Sequence, residues 1–242
     1  MMISRFFFPE PLPKGGEVRL PDALAHHAGR VLRLRDGDSV ILFDGQGGEV
    51  PATLVFSGKQ CRAALGEWSD RERESPLRLV LVQALASGDK MDWIVQKAVE
   101  LGAAGVIPVR AERSVIRLSG DRAARRVEHW RQVAIAACEQ SGRNRIPFVA
   151  EIVELGGYLD SSRAIRSRLF LAPSGGNRFE ALSEPGPEIH MLIGPEGGWS
   201  EGEAAACRAA GCTPVLLGPR ILRTETAGLA AISAIQARWG DF

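Results

Sequence analysis

The chain has 242 residues, 45% hydrophobic and 24% charged, with a net charge of +1. That length holds one large domain or two small ones with real cores, and the balance is that of a folded globular chain, not a disordered or collagen-like one. A net charge so near zero excludes bulk polycation character as the basis of any nucleic-acid affinity.

The first seventy residues read mostly as β. EVRL, SVILFD, GEVPATLVFS and CRAALGEW are short strand-like runs separated by the turn-rich DGD, DGQGG and SGK. One helical patch, ALAHHAGRVLRL, interrupts them, and such closely spaced strands predict a small barrel. WSDRERESP follows as a polar, proline-ended linker. The predicted division is residues 1–70 as the β-barrel domain, 71–76 as linker and 77–242 as a second domain.

Beyond the linker the rhythm changes. LRLVLVQAL is a buried strand, followed by a helix over 89–101 that Ser87 or Asp89 caps and Gly102 ends. GVIPV is a strand, 121–140 a long helix, and PFVAEI, RLFLAP, IHMLIG and TPVLLG are further strands. Helices fall at about 154–164, 200–210 and 225–238. Alternating strands and helices predict an α/β domain with a mostly parallel sheet covered on both faces.

Three of these strands run into Gly/Pro-rich loops: LFLAPSGG, MLIGPEGG and VLLGPRILRTETAG. In open α/β sheets ligands sit outside the carboxyl ends of the strands, so three such loops predict one shared pocket. No G-x-G-x-x-G follows a strand, and no phosphate-binding G-x-x-x-x-G-K-[ST] occurs. Neither of the first two loops carries a cation over its glycines, so a ligand held by backbone hydrogen bonds and apolar contact, such as an adenosine, fits better than a polyphosphate. Glu196 either serves a cationic ligand or caps the following helix. Cys61, Cys138, Cys207 and Cys212 show no paired spacing and read as buried thiols in a reducing compartment, with neither disulfide nor metal site. The apolar start is too short for a signal peptide, and no window approaches the roughly 18 residues of a membrane span. A cytoplasmic location is expected.

IGPEGGWSEGE and LGPRILRTETA resemble the two C-terminal signatures of the SPOUT superfamily of S-adenosylmethionine-dependent methyltransferases. More narrowly, the chain resembles the RsmE family, which methylates N3 of one uridine in 16S ribosomal RNA. RFFFPE, HHAGRVLRLRDGD and FDGQGGE match that family's PUA-like N-terminal domain; DKMDWIVQKAVELGAAGVIPVRAERSV and IAACEQSGRNRIP match its later blocks. One departure is Ser87, where the family often has a basic residue. The resemblance implies a C-terminal trefoil knot forming the cofactor site, a homodimer, and 16S rRNA of the small ribosomal subunit as partner, with no metal and no membrane. By position, S-adenosylmethionine would be held by Leu171, Ala172 and Pro173, by Gly194, Pro195, Glu196, Gly197 and Gly198, and by Leu217, Gly218, Ile221, Leu222, Arg223, Thr226 and Ala227. Gly218 and Pro219 would make the turn, Ile221 and Leu222 would wall the adenine, and 223–227 would close the knot and start the last helix. Thr224 or Thr226 is a candidate helix cap.

Between Arg110 and Arg145 nine arginines face four acidic residues, a local +5. This is either a solvated helix face or a phosphate-binding surface. Candidate RNA contacts are Arg5, His26, His27, Arg30, Arg33 and Arg35 in the first domain, with Arg30 and Arg33 sharing a helix face if the helix extends so far. In the second they are Lys90, Lys97, Arg110, Arg113, Arg143 and Arg145, beside the helical Arg122, Arg125, Arg126 and His129. Positions 228, 231, 232, 235 and 239 form a stripe that either packs on its own sheet or meets a second copy. For the chemistry, Arg223 is the expected stabiliser of a deprotonated uridine N3, and Glu196 the expected base or sulfonium contact. Rival readings are a methyltransferase acting on another rRNA or tRNA nucleotide, a non-catalytic RNA-binding assembly factor and a small-molecule nucleotide enzyme.

Overall fold

Period-two burial builds the first strands. In the computed structural model, which describes residues 3–58, 60–172 and 174–242, Val50, Ala52 and Leu54 point inward while Pro51, Thr53 and Val55 point out. The strands are β1 (Ser4–Phe7), β2 (Gly16–Arg19), β3 (Ser39–Phe43), β4 (Val50–Ser57) and β5 (Gln60–Leu65), paired in the order β1-β3-β4-β5-β2. The β1–β3 pair is parallel and the others antiparallel. Among the described residues no β1–β2 pairing closes the expected barrel. Phe6, Leu20, Leu42, Leu54 and Cys61 fill the core between them.

The predicted helix of this domain is shorter than its apolar pattern. α1 (Asp22–His26) passes into a five-residue π turn, His27–Val31. A Cβ at Gly29 would lie 3.1 Å from the Phe56 ring, so glycine lets the turn sit against β4. Arg33 then has φ 58°, outside any helix, so Arg30 and Arg33 do not share a helical face.

Two compact units emerge: Met1–Glu74 with Cys138–Ile146, and Ser75–Ala137 with Pro147–Phe242. The segment 138–146, on the far side of the predicted boundary, belongs to the first unit because its polar groups are bound there. Arg143 is 3% exposed and holds Glu74 through Nε at 3.0 Å. Asn144 donates to Glu49 Oε2 at 3.2 Å, and Glu139 accepts from the Phe7 amide at 2.9 Å.

The second unit carries β6 (Arg78–Ala84), α2 (Lys90–Glu100), β7 (Gly105–Arg110), α3 (Gly120–Ser141), β8 (Phe148–Val149), β9 (Val153–Glu154), α4 (Leu155–Ser161), β10 (Ser167–Leu171), β11 (Asn177–Arg178), β12 (Glu188–Ile193), α5 (Glu201–Ala209), β13 (Thr213–Leu216) and α6 (Thr224–Trp239). The last residues of α3 count with the first unit. The sheet is parallel throughout, in the order β11-β13-β10-β12-β6-β7-β8, with β9 also on β7. PFVAEI forms only the two-residue β8, with β9 just beyond it, and the two-residue β11 has no counterpart in the sequence reading. α2 ends at Leu101 with Gly102 at φ 84°, as predicted, but neither Ser87 nor Asp89 makes a side-chain cap. Of the α6 stripe, Gly228, Ala231, Ile232 and Ile235 are buried on a helix that meets α2, β6 and β12 of its own unit, while Trp239 is half-buried.

Candidate cofactor site

β13, β10 and β12 are adjacent and parallel, so their carboxyl ends open on the same side. The loops leaving them enclose a cavity of about 530 Å³, within the roughly 300–1,000 Å³ of small-molecule sites. Of the predicted residues, Leu171 and Ala172, the whole Gly194–Gly198 bend, Leu217, Gly218, Ile221, Leu222, Arg223 and Ala227 line it. Thr226 does not; its amide is bound to the Arg223 carbonyl and it is exposed. Pro173 lies outside the described residues. Lys90, Trp199, Thr224 and Glu225 line the cavity as well. Trp199, Thr224 and Glu225 lie within the quoted cofactor motifs, whereas Lys90, expected as an RNA contact, was not expected at the cavity.

Each bend is fixed by local chemistry. Gly218 has φ 75° and Gly198 φ 66°, conformations that side chains resist. A Cβ on Gly194 would come within 3.2 Å of the Trp199 amide, so a side chain there would press the returning backbone back by a few tenths of an ångström. The Gly198 amide closes the turn on Pro195 O at 2.9 Å. Ser200, not Glu196, caps α5: its hydroxyl accepts from the Glu203 amide at 3.2 Å while Glu203 accepts from the Ser200 amide at 2.9 Å. At α6 neither threonine is the cap, since Arg223 holds that position. Thr224 Oγ1 instead donates to Gly194 O at 2.6 Å and accepts from Gln83 Nε2 at 3.0 Å.

Glu196 is an anchored carboxylate. Its Oε1 accepts from the Ser87 amide at 2.9 Å, the Ser87 hydroxyl at 2.6 Å and Lys90 Nζ at 3.0 Å. Burial alone would raise its pKa, but these donors outweigh burial and hold it at about 2. A carboxylate so stabilised stays charged, and a charged carboxylate is what both of its expected roles, base and sulfonium contact, start from. Lys90 also lies 3.5 Å from Glu225, and its own pKa is raised, first by the hydrogen bond to Glu196. The ammonium is thus engaged by two carboxylates rather than turned toward a phosphate. Ile221, by contrast, is 88% exposed at the rim.

The basic residues divide. His26, His27, Arg30, Arg33 and Arg35 are exposed in the first unit, as are Arg122 and Arg125 on α3 of the second, opposite buried Val127 and Trp130. Arg5 pairs with Glu49 at 2.6 Å and Arg143 with Glu74, both largely buried, so neither presents a free cation to RNA. Arg145 stays exposed beside Glu72 at 3.4 Å. Lys97 pairs with Glu100, Arg110 binds Leu118 O and Glu154, and Arg113 donates to Gly197 O at 3.1 Å. Among the described residues no cluster of three metal-ligating side chains occurs, and no helix is long and apolar enough to cross a membrane. All four cysteines are free and buried, as expected.

Residues 73–236 match the RNA methyltransferase domain, and residues 20–63 match the RNA methyltransferase PUA domain. The chain belongs to the RNA methyltransferase family. Among members of the family, the ribosomal RNA small subunit methyltransferase E of Bacillus subtilis is 36% identical over 219 residues, covering 87% of this chain and 86% of its own. The enzyme of the same name from Synechocystis is 33% identical, over 91% and 73% of the two chains. Ribosomal RNA small subunit methyltransferase E of Neisseria gonorrhoeae, solved bound to S-adenosyl methionine, aligns over the full length of both chains with a TM-score of 0.95 and 42% identity. A Legionella pneumophila structure in complex with the cofactor SAM gives the same TM-score at 33% identity. The methyltransferase fold with an N-terminal PUA-like domain is therefore that of the family.

Proposed function

We propose that the chain transfers a methyl group from S-adenosylmethionine to N3 of a uridine in the 16S rRNA of the small ribosomal subunit. The observation that carries this is the cavity shared by the loops after β10, β12 and β13. The residues present suit the cofactor. Backbone of the Gly194–Gly198 and Leu217–Gly218 bends suits a ligand bound through amides and carbonyls, and Leu171, Ile193 and Leu222 offer apolar walls for an adenine. When bound, the cofactor supplies a methyl group activated by a positively charged sulfur.

The chain's own residues then orient and charge the site. The bends fix the cofactor beside the rim, and holding the reactants in register is worth several kcal/mol, up to about 7–11 in ideal systems. Arg223, exposed at that rim, places a permanent cation where uridine N3 must lose its proton. Glu196 shapes the bend. The exposed cations of residues 26–35 and of α3 are proposed to hold RNA phosphates, which set orientation, while an unstacked base supplies the choice of nucleotide. On this reading residues 1–70 bind RNA and 77–242 carry out methyl transfer, in the cytoplasm and as a homodimer. A trefoil knot is part of the reading. It is supported by α6 starting against the earlier bend, where Thr224 is bonded to Gly194.

The relatives named above for small-subunit rRNA favour this substrate over tRNA. The test is mass spectrometry of 16S rRNA nucleosides from cells with and without the gene. Loss of 3-methyluridine on deletion is expected; an unchanged level rejects the substrate assignment.

A further inference from the structure

The Gly194–Gly198 bend holds three glycines in five residues, a composition that does not order itself. Beyond the turn that the Gly198 amide closes on Pro195 O, its order comes from side chains elsewhere in the chain. Thr224 takes Gly194 O, Arg113 takes Gly197 O, and one oxygen of Glu196 takes three donors, two from Ser87 between β6 and α2 and one from Lys90, the first residue of α2. Of the residues outside the bend that pin it, Thr224 and Lys90 line the cavity, and Lys90 also reaches Glu225 in the first turn of α6. Without Lys90, the Glu196 and Glu225 carboxylates would both lose the cation they share.

We infer that Lys90 and Ser87 form a latch that fixes the bend by holding Glu196, making them positioning residues of the cofactor site rather than RNA contacts. The inference rests on the cavity being the cofactor site, as proposed above. A site ordered before its ligand arrives loses less conformational entropy on binding, so the latch acts on cofactor affinity. It lies at the rim, away from the buried core of the sheet, so its loss is felt by the ligand more than by the fold. Ser87 contributes both its amide and its hydroxyl, which gives a local role to the one position noted as departing from the related family.

The experiment is calorimetric titration of S-adenosylmethionine into wild type, Lys90→Met, Lys90→Arg and Ser87→Ala, with thermal unfolding of each. Lys90→Met is expected to weaken binding about tenfold, with the loss appearing in KM for the cofactor more than in kcat. Lys90→Arg recovers most of the affinity, and Ser87→Ala loses about threefold, its amide contact remaining. In a Glu196→Gln background, Lys90→Met adds little further loss, because the two residues act through one contact. Cofactor affinity within twofold of wild type in both Lys90→Met and Ser87→Ala overturns the latch, and so does a loss confined to rRNA affinity. Wild-type protein that does not bind the cofactor at millimolar concentration overturns the cofactor reading and the latch with it. Should Lys90→Met not fold, Ser87→Ala alone decides.

Discussion

Replacing Thr224 by Val keeps the shape of the side chain and removes one oxygen. That oxygen joins three elements: it donates to Gly194 O in the bend after β12, accepts from Gln83 Nε2 on β6, and belongs to the first residue of α6. Thr224 is 6% exposed and Gln83 fully buried, so water does not replace the hydroxyl on the Gln83 side, while Gly194 is half-buried against the cavity. Leaving the Gly194 carbonyl unpaired costs about 1–3 kcal/mol. Gln83 loses less, because its amide still donates to Ala84 O at 3.0 Å. The sum, about 2–3 kcal/mol, is a large share of the roughly 5–15 kcal/mol that stabilises a domain. In a chain of this size it lowers Tm by roughly 4–12 °C. Urea and thermal unfolding of Thr224→Val and Thr224→Ser measure it, the serine variant retaining the hydroxyl. Cofactor affinity falls in the valine variant as the Gly194 peptide loses its aim. If Thr224→Val unfolds within about 0.5 kcal/mol of wild type, the bond between bend and helix is not what holds the site together.

Gly218→Val forces a β-branched residue to φ 75°; S-adenosylmethionine affinity should drop by tenfold or more by calorimetry, whereas Gly186→Ala, with open space at its Cβ, should bind normally. Burial holds the His190 imidazole below its usual pKa of 6.5, against the upward pull of Glu188. The unfolded chain therefore takes up that proton first: stability is full above about pH 6.5, falls as pH drops toward the lowered folded value, and then levels. Urea titrations at several pH values should show that slope, and His190→Asn should flatten it. Arg143→Met leaves Glu74 without its buried partner and should cost about 3–5 kcal/mol in denaturant unfolding, without reducing the salt dependence of RNA binding by the folded protein. Arg223→Ala should lower kcat by roughly 100-fold or more in a methyl-transfer assay while cofactor affinity changes little; full turnover removes Arg223 from the chemistry.

The parts legible in the sequence were those that local chemistry dictates. Glycines and prolines after β12 and β13 marked loops that line the cavity, where close backbone approach explains them, whereas after β10 it is Leu171 and Ala172 that line it and not Gly175 or Gly176. The long helices were read within a residue or two from their periodicity, and the cysteines from their apolar settings. What stayed hidden was pairing over distance. Arg5 and Arg143 looked like RNA contacts because a sequence shows a charge but not the carboxylate folded against it, Glu49 in one case and Glu74 in the other. The anchoring of Glu196, expected as base or sulfonium contact, was hidden for the same reason: its three donors come from residues 87 and 90. The assignment of 138–146 to the first unit rests on such pairings as well. The α6 stripe was ambiguous because an apolar face reads the same whether sheet or second copy covers it.

The most direct test of the account is methyl transfer in vitro. Purified protein is given labelled S-adenosylmethionine and small ribosomal subunits from cells lacking the gene, and the rRNA is digested to nucleosides. The account predicts that the label appears in 3-methyluridine, at one site per subunit. Label in another nucleoside, or none in RNA while the cofactor binds, would contradict it.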